Sequence, residues 1–445
     1  MRYDVVVIGG GTAGYIAGSI LARKGKRTLV IEKKKFGGVC VNSGCVPSIF
    51  LFDVTFLLTR LKEVAYYLGL EGKVEYRNAL QKRNEIVEYL SNAGKKLIED
   101  AGGETEIGEA EIISPNEIKI NEKVVEFDKL IIATGSKPKI PNIKGIEYAI
   151  SEDEAVNLNE IPESMVIIGG GYAGVEIAQF FSRLGSTITL LSKATILPNL
   201  SEDARRSVRD SLEFDGVNLV ENVQINRIHG EGVFTNKGEF HGEIIVYATG
   251  REPQLPKGVE KIGLYTNECG VIVNEYKQAK GNIYAIGDVT NKERKTAHSA
   301  IFDAVVASLH IMDEKSLLHK INGYKIPQVL YTDPQVGIVG EEKDANKFSI
   351  FYFNATTRAI INGIRDGYVK IGINKNGEIV FGEVIGDKSE ELINILTLAI
   401  NSKIKVENLA LMPFVHPSLS EAIVNTAKGF FDMDVDRYRR TNDKT

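Results

Sequence analysis

Tryptophan is absent from these 445 residues, cysteine occurs three times and histidine six times. So few cysteines cannot build a disulfide scaffold, and no second pair of soft ligands accompanies them to complete a zinc module. An excess of positive charge is missing too. The formal net charge is −5, which removes the electrostatic footprint of a nucleic-acid binder. No uninterrupted apolar run approaches the roughly 20 residues of a membrane span. The chain opens directly on the strand-like run Tyr3-Asp4-Val5-Val6-Val7-Ile8, so the expectation is a cytoplasmic chain with no signal or transit segment ahead of its fold. What remains is ordinary globular material, 43% hydrophobic and 25% charged, long enough for about three domains.

Against that scarcity glycine is plentiful, and it recurs in a pattern. VVVIGGGTAGYIAGSILARKGKRTLVIEK, from Val5, lies over MVIIGGGYAGVEIAQFFSRLGSTITLLSK, from Met165. Gly9, Gly11 and Gly14 match Gly169, Gly171 and Gly174, and Gly25 matches Gly185, all at one constant offset. Each copy reads as a buried strand, a glycine turn, a helix and a second strand, a βαβ unit. One glycine permits the tight turn, one lets the backbone approach a pyrophosphate, and one lets helix and strand pack closely. The helix N-terminus then offers N–H groups and a positive dipole end to phosphate. A single such motif is weak. Two in the same strand–turn–helix context point to two bound dinucleotides.

The residue ending the second strand of each unit ordinarily meets the adenosine ribose. The first copy has Glu32, an acceptor for a ribose diol, whereas the second has Ser192 followed by Lys193. Losing a carboxylate and gaining a cation favours a 2′-phosphate, so the second copy leans towards NADPH, with NADH left open.

Cys40 and Cys45 stand in GGVCVNSGCVPSIF, just after the first unit, and Pro47 with the apolar run Ile49–Leu58 predicts a helix starting beside them. Thiols at a helix N-terminus gain thiolate stability from the dipole. A structural disulfide, a zinc ligand pair and a redox-active disulfide served by the adjoining dinucleotide all use such a spacing. A reducing compartment and the lack of further ligands favour the last.

With these residues in view, the stretch resembles the active site of the flavin-dependent pyridine nucleotide–disulfide oxidoreductases, the family of dihydrolipoamide dehydrogenase, glutathione reductase and mercuric reductase. The similarity runs along nearly the whole chain. LIIATGS (130–136) and VYATGREP (246–253) resemble the crossovers between nucleotide domains, NIYAIGDV (282–289) the second flavin motif, and TAHSA (296–300) the helix start beside the flavin. YTDPQVGIVG (331–340) and FVHPSLSEA (414–422) resemble the opening of the dimerisation domain and its His-Pro motif.

The resemblance implies an α/β fold with two Rossmann-like dinucleotide-binding domains and a C-terminal α+β dimerisation domain. Residues 1–148 and 253–320 would form the FAD domain, 149–252 the NAD(P) domain, and 325–445 the interface of a homodimer. FAD would lie against Gly9, Gly11, Gly14, Glu32, Gly38, Thr134, Gly135, Asp288 and Ala297. NADPH or NADH would lie against Gly169, Gly171, Gly174, Glu176, Ser192, Lys193 and Gly250. Electrons would pass from nicotinamide through flavin to a Cys40–Cys45 disulfide, with Cys45 facing the flavin as a thiolate and Cys40 exchanging with substrate. His416, oriented by Glu421 and following a cis peptide pattern with Pro417, would move protons for the other subunit's cysteines. No metal is implied. Cys269, in TNECG, reads as a turn residue, and His298 as a packing residue at its helix start.

One position departs from the family. Its lysine after the Pro-Ser pair, partner of a glutamate beside the flavin, is replaced by Ile49, while the glutamate is kept as Glu176. The expectation is a lower flavin potential and slower or altered hydride transfer than in lysine-bearing relatives. The substrate signals are divided. CVNSGCVPS and Ser192-Lys193 resemble mercuric reductase, but the ending RYRRTNDKT has no cysteine pair and the His-Pro motif is kept. An organic dithiol or disulfide of the lipoyl type is therefore favoured. A mercuric reductase-like enzyme, a quinone, dye or oxygen reductase independent of the cysteines, and a flavin-binding subunit without catalysis are the alternatives.

Overall fold

In the computed structural model, which describes residues 1–68, 76–292, 294–319, 321 and 323–435, the apolar run at the N-terminus becomes the strand Arg2–Ile8 at the centre of a sheet. Parallel strands flank it in the order Glu104–Ile107, Thr28–Glu32, Arg2–Ile8, Lys123–Ile132 and Ile283–Ala285. Both faces of that sheet are covered, so its strands are near-continuously apolar. Val6, Ile8, Leu29 and Ile31 pack on one side, and Val5, Val7 and Val30 on the other, against Ala17 and Leu21 of the helix Thr12–Arg23.

The second copy repeats the plan. Five parallel strands run in the order Asn218–Val220, Thr187–Leu191, Ser164–Ile168, Ile244–Tyr247 and Ile150–Ser151. Between the two sheets the chain crosses twice, and the crossovers pair with each other: Ser136–Pro138 runs antiparallel to Arg251–Pro253. Both sheets belong to one unit, Met1–Ile196 with Gly216–Asn322.

The other unit is Leu197–Asp215 together with the chain from Gly323. It holds an antiparallel sheet ordered Gln328–Leu330, Val336–Gly340, Ile379–Ile385, Tyr368–Ile373 and Lys347–Tyr352. The helices Ser389–Asn401 and Glu421–Lys428 bury Ile393, Leu396, Ile423 and Ala427 against it. The helix Glu202–Phe214 lies in sequence within 149–252 but groups with this unit. Its N-cap Ser201 is hydrogen-bonded to Tyr368 and Glu383, and Ser211 donates to the Asp333 carbonyl.

The helical segment Gly38–Lys62 is long enough, and with a mean hydropathy of 1.6 apolar enough, to pass as a membrane span. Its polar interruptions escape a search for unbroken apolar runs. Within the fold the long helix Cys45–Leu68 packs on the helices Tyr76–Asp100 and Tyr172–Arg183. The ending RYRRTNDKT lies outside the described residues.

Candidate active site

Each glycine turn is locked onto its own sheet. A Cβ at Gly9, whose φ is +107°, would stand 2.3 Å from the Ala133 carbonyl oxygen, and one at Gly14 would stand 1.8 Å from that of Gly9. The corresponding distances in the second copy are 2.1 Å from Gly169 to Ala248 and 1.9 Å from Gly174 to Gly169. The helices Thr12–Arg23 and Tyr172–Arg183 start at Gly11 and Gly171 with no side-chain cap. Their first-turn N–H groups are therefore open to an outside acceptor. A pyrophosphate fits both places. Gly135 and Gly250, at the crossovers, have positive φ and no atom within 4 Å of an added Cβ. Thr134 donates to the Gln254 carbonyl, and Ala297 heads the helix Ala297–Ile311, capped by Thr296.

At the strand ends the copies part. The Glu32 carboxylate accepts from the amides of Gly10 and Lys34, each at 2.8 Å. Ser192 is buried, 4% exposed, with its hydroxyl against Gly170, while Lys193 faces solvent. A carboxylate does approach from the neighbouring strand end. Glu221 accepts from Thr195 Oγ1 at 2.9 Å and from the Ile196 amide at 2.7 Å. Sequence reading passed over it because it lies just past the third strand of the unit.

The two thiols are free and within hydrogen-bond reach of each other. Cys40 lies in the short helix Gly38–Asn42 and Cys45 opens the helix Cys45–Leu68. The hydrogen bond from Cys45, with a further one from Thr12, lowers the Cys40 pKa against burial and the Asp288 charge. Donation to Cys40, burial and the negative fields of Cys40 and Glu176 raise that of Cys45. The two thiols are thus pulled in opposite directions, Cys40 towards the thiolate and Cys45 towards the thiol. Glu176 acts on Cys45 from a site where no lysine stands, since Ile49 is a half-buried apolar residue on the same helix. The same glutamate adds to the raised pKa of Tyr172, pushed up to about 12 chiefly by burial, with the Arg294 cation opposing.

Asp288 is held from behind. Ser136 Oγ donates to its Oδ2 at 2.8 Å, and Arg251 Nε donates to Ser136 Oγ at 2.9 Å. Arg251 Nη1 is in turn fixed by Glu152 at 2.9 Å and Asp153 at 2.7 Å. Lys295, half-buried, donates to the carbonyls of Asp288, Thr290 and Cys269, and burial lowers its pKa. The Asp288 loop is anchored to the helix Ala297–Ile311 through buried Asp303, which accepts from the Gly287 amide at 2.9 Å and pairs with Lys277 and Lys292. A polyol chain finds in Asp288 a fixed acceptor beside the first glycine turn, which suits the ribityl part of FAD. Arg251 and Ser136 were missed by sequence reading, because their link spans 115 residues.

In the C-terminal unit the His416–Pro417 bond is cis. His416 Nδ1 meets Glu421 Oε1 at 2.9 Å, and Glu421 Oε2 accepts from the Ser418 amide at 2.9 Å. The imidazole is 65% exposed. Glu421 fixes its Nδ1–H tautomer and leaves Nε2 as the basic nitrogen. Cys269 sits in the turn between Thr266–Asn267 and Gly270–Val271, and His298 Nε2 lies 3.1 Å from Thr296 Oγ1. Among the described residues no three His, Cys, Asp or Glu side chains gather as a metal site.

Residues 3–304 match the family model for pyridine nucleotide-disulphide oxidoreductases, and residues 326–427 match the dimerisation domain of the same family. The chain is 29% identical to dihydrolipoyl dehydrogenase of Mycoplasma genitalium, over 96% of this chain and 98% of that one. It is 30% identical to dihydrolipoyl dehydrogenase of Bacillus subtilis, over 94% and 96%. Among solved structures it superposes on the HOCl-induced flavoprotein disulfide reductase RclA from Escherichia coli with a TM-score of 0.85 and 25% identity, covering 96% of this chain and 99% of that one.

Proposed function

This chain belongs to the pyridine nucleotide-disulphide oxidoreductase family, and we propose that it passes an electron pair between NAD(P)H and a small organic disulfide of the lipoyl type, through FAD and the Cys40–Cys45 pair. The observation that carries this reading is the placement of two hydrogen-bonded thiols beside the first glycine turn, with Thr12 touching Cys40. Neither thiol is needed merely to hold a dinucleotide.

Held against Gly9, Gly11, Gly14, Glu32 and Asp288, FAD would supply the chemistry that links a nicotinamide hydride to two-electron reduction of the disulfide. Of the two protons that accompany those electrons, one would rest on Cys45 and one on the partner subunit's His416, leaving Cys40 as the thiolate. The Cys40 thiolate then attacks one sulfur of the external disulfide, forming a mixed disulfide and releasing the other sulfur as a thiolate. Cys45, once deprotonated, attacks Cys40 Sγ, restores the internal disulfide and frees the second substrate thiol. The partner subunit's His416 Nε2 gives its proton to the first departing thiolate, then receives the proton that Cys45 loses and returns it to the second, while Glu421 holds the imidazole in register.

A homodimer is part of the reading, since the matched dimerisation domain exposes large apolar residues, Leu411 at 75% and Val415 at 77%. So is work in a reducing cytoplasm, where free thiols persist. Ser192 and Lys193 support NADPH as the preferred donor.

Anaerobic titration with NADPH and with NADH, followed by lipoamide, glutathione disulfide, Hg²⁺ and a quinone in turn, tests the proposal. The expected result is bleaching of the flavin by NADPH and reoxidation by lipoamide, lost in Cys40→Ser. Quinone reduction that survives this substitution, with no turnover of any disulfide, would overturn it.

A further inference from the structure

Arg83 is only 1% exposed, and a guanidinium that deep must have its donors matched by acceptors. Nη1 donates to the carbonyls of Val156 at 2.9 Å and Leu158 at 3.2 Å, and Nη2 to that of Asn157 at 3.4 Å. The side chain of the adjacent Asn84 takes the remaining contacts, from Nε at 3.2 Å and Nη2 at 3.0 Å. The three carbonyls follow the short helix Glu152–Ala155. Acceptors without intrahelical partners and the negative end of the helix dipole both favour a cation there. At the other end of the same helix, the acidic residues Glu152 and Asp153 hold Arg251.

The segment so fixed reaches the sulfur loop. Asn157 Nδ2 donates to the Asp153 carbonyl at 3.0 Å and, across 115 residues of chain, to the Asn42 carbonyl at 3.1 Å. Asn42 lies between the two cysteines. Its own amide donates to the carbonyls of Phe36 and Gly38, each at 2.9 Å. The turn bearing Cys40 is thus pinned at Asn42 by both backbone and side chain. Its helix, Gly38–Asn42, has five residues and no side-chain cap at its start, so it has little stability of its own.

We propose that Arg83 and Asn157 are positioning residues for the sulfur pair: through Asn42 they hold the turn that carries Cys40 against the helix that begins at Cys45. Removing the Asn157 amide leaves the Asn42 carbonyl without this donor and frees the turn to drift. Cys40 then loses the donated hydrogen bond that keeps its thiolate. This rests on the reading of Cys40–Cys45 as the redox pair, and the test separates the two.

The full-length flavin-loaded protein, wild type and Asn157→Ala, Asn157→Asp, Arg83→Lys and Arg83→Met, is reduced with dithiothreitol, desalted and alkylated with iodoacetamide across a pH series. Mass spectrometry apportions the label between Cys40 and Cys45. In Asn157→Ala the Cys40 rate near neutral pH should fall about tenfold, as its reactivity midpoint rises by about one pH unit. Asn157→Asp, of nearly equal shape but with no side-chain donor, should show the same loss. Arg83→Lys should recover more of the wild-type rate than Arg83→Met, and if the latter does not fold the Asn157 pair still decides. Folded Asn157→Ala and Asn157→Asp proteins with Cys40 rates and midpoints like those of wild type would overturn the inference. The labelling needs no turnover. Failure of NADPH and NADH to reduce the wild-type pair therefore strikes the redox reading, whereas unchanged labelling strikes this inference alone.

Discussion

The two glycine turns are close copies in backbone and opposites in what surrounds them. In the first, Phe36 packs so near Gly10 that an added Cβ would stand 2.6 Å from its ring, and the Gly37 amide donates to the Gly10 carbonyl at 2.9 Å. A Cβ on Gly38 would stand 2.6 Å from Gly11 Cα. In the second, Gly170 is crowded too, an added Cβ standing 2.3 Å from Ser192 Oγ, but Gly171 is exposed and an added Cβ there meets nothing within 4 Å, where its counterpart Gly11 has Gly38 Cα at 3.5 Å. One turn is roofed and the other is open. The difference suits a resident cofactor in the first and an exchanging nucleotide in the second. The glycines prepare a phosphate cradle in both copies, whereas the cover and the strand-end residue decide which ligand stays and which leaves.

The sharpest way to break that comparison is to close each turn separately. Gly14→Ala drives a methyl into the Gly9 carbonyl and should give colourless protein with no flavin in its absorbance spectrum and no turnover. Gly174→Ala should stay yellow, and its reduction by NADPH in a stopped-flow trace should slow by roughly a hundredfold or more, since only the second cradle is lost.

Next in size, Cys40→Ser should keep both cradles, bind flavin and accept electrons from NADPH. Its disulfide turnover should fall by about a thousandfold or more, because a hydroxyl cannot replace the thiolate nucleophile. Ser192→Glu makes the second strand end like the first. The ratio of kcat/KM for NADH over NADPH should rise roughly 10- to 100-fold, through a ribose acceptor gained and a phosphate repelled.

The smallest effect concerns a pair that spans the copies, Ile49 on the helix Cys45–Leu68 and Glu176 on the helix of the open turn. Ile49→Lys places a cation near Glu176, and alkylation at Cys45 should gain on Cys40 by about a factor of a few. The flavin midpoint should rise by on the order of 30 mV, seen in a dye-coupled reductive titration. The pH profile gives the sign in the unmodified protein. The Cys40 pKa is lowered, so its labelling should persist below the ordinary thiol range and be lost only as pH falls through that lowered value. A Cys40 midpoint at or above the ordinary thiol range would contradict the hydrogen-bond arrangement.

What the sequence displayed of this site was local. Glycine spacing, strand-end residues, the cysteine interval and the interval from His416 to Glu421 each need only a few neighbouring residues to be meaningful. What it hid was long-range. Arg251 reads as one residue in a crossover motif, yet it acts through Ser136 on Asp288, and Arg83 reads as one more charge on a helix whose exposed face is charged. Its burial is decided by carbonyls more than 70 residues away. The difference between the surroundings of the two thiols was hidden as well. It depends on which sulfur Thr12 and Glu176 reach, and neither interval nor composition encodes that.

The roof over Gly10 and Gly11 is the same stretch that runs on into Cys40. Gly9 and Gly14 are jammed against the carbonyls behind them, whereas residues 36–38 belong to the cover that packs on Gly10 and Gly11. Lifting them drags the sulfur loop along. Shedding the cofactor and scrambling the redox centre should therefore be one event viewed from two sides, and protein stripped of its yellow colour should be the form most exposed to irreversible oxidation.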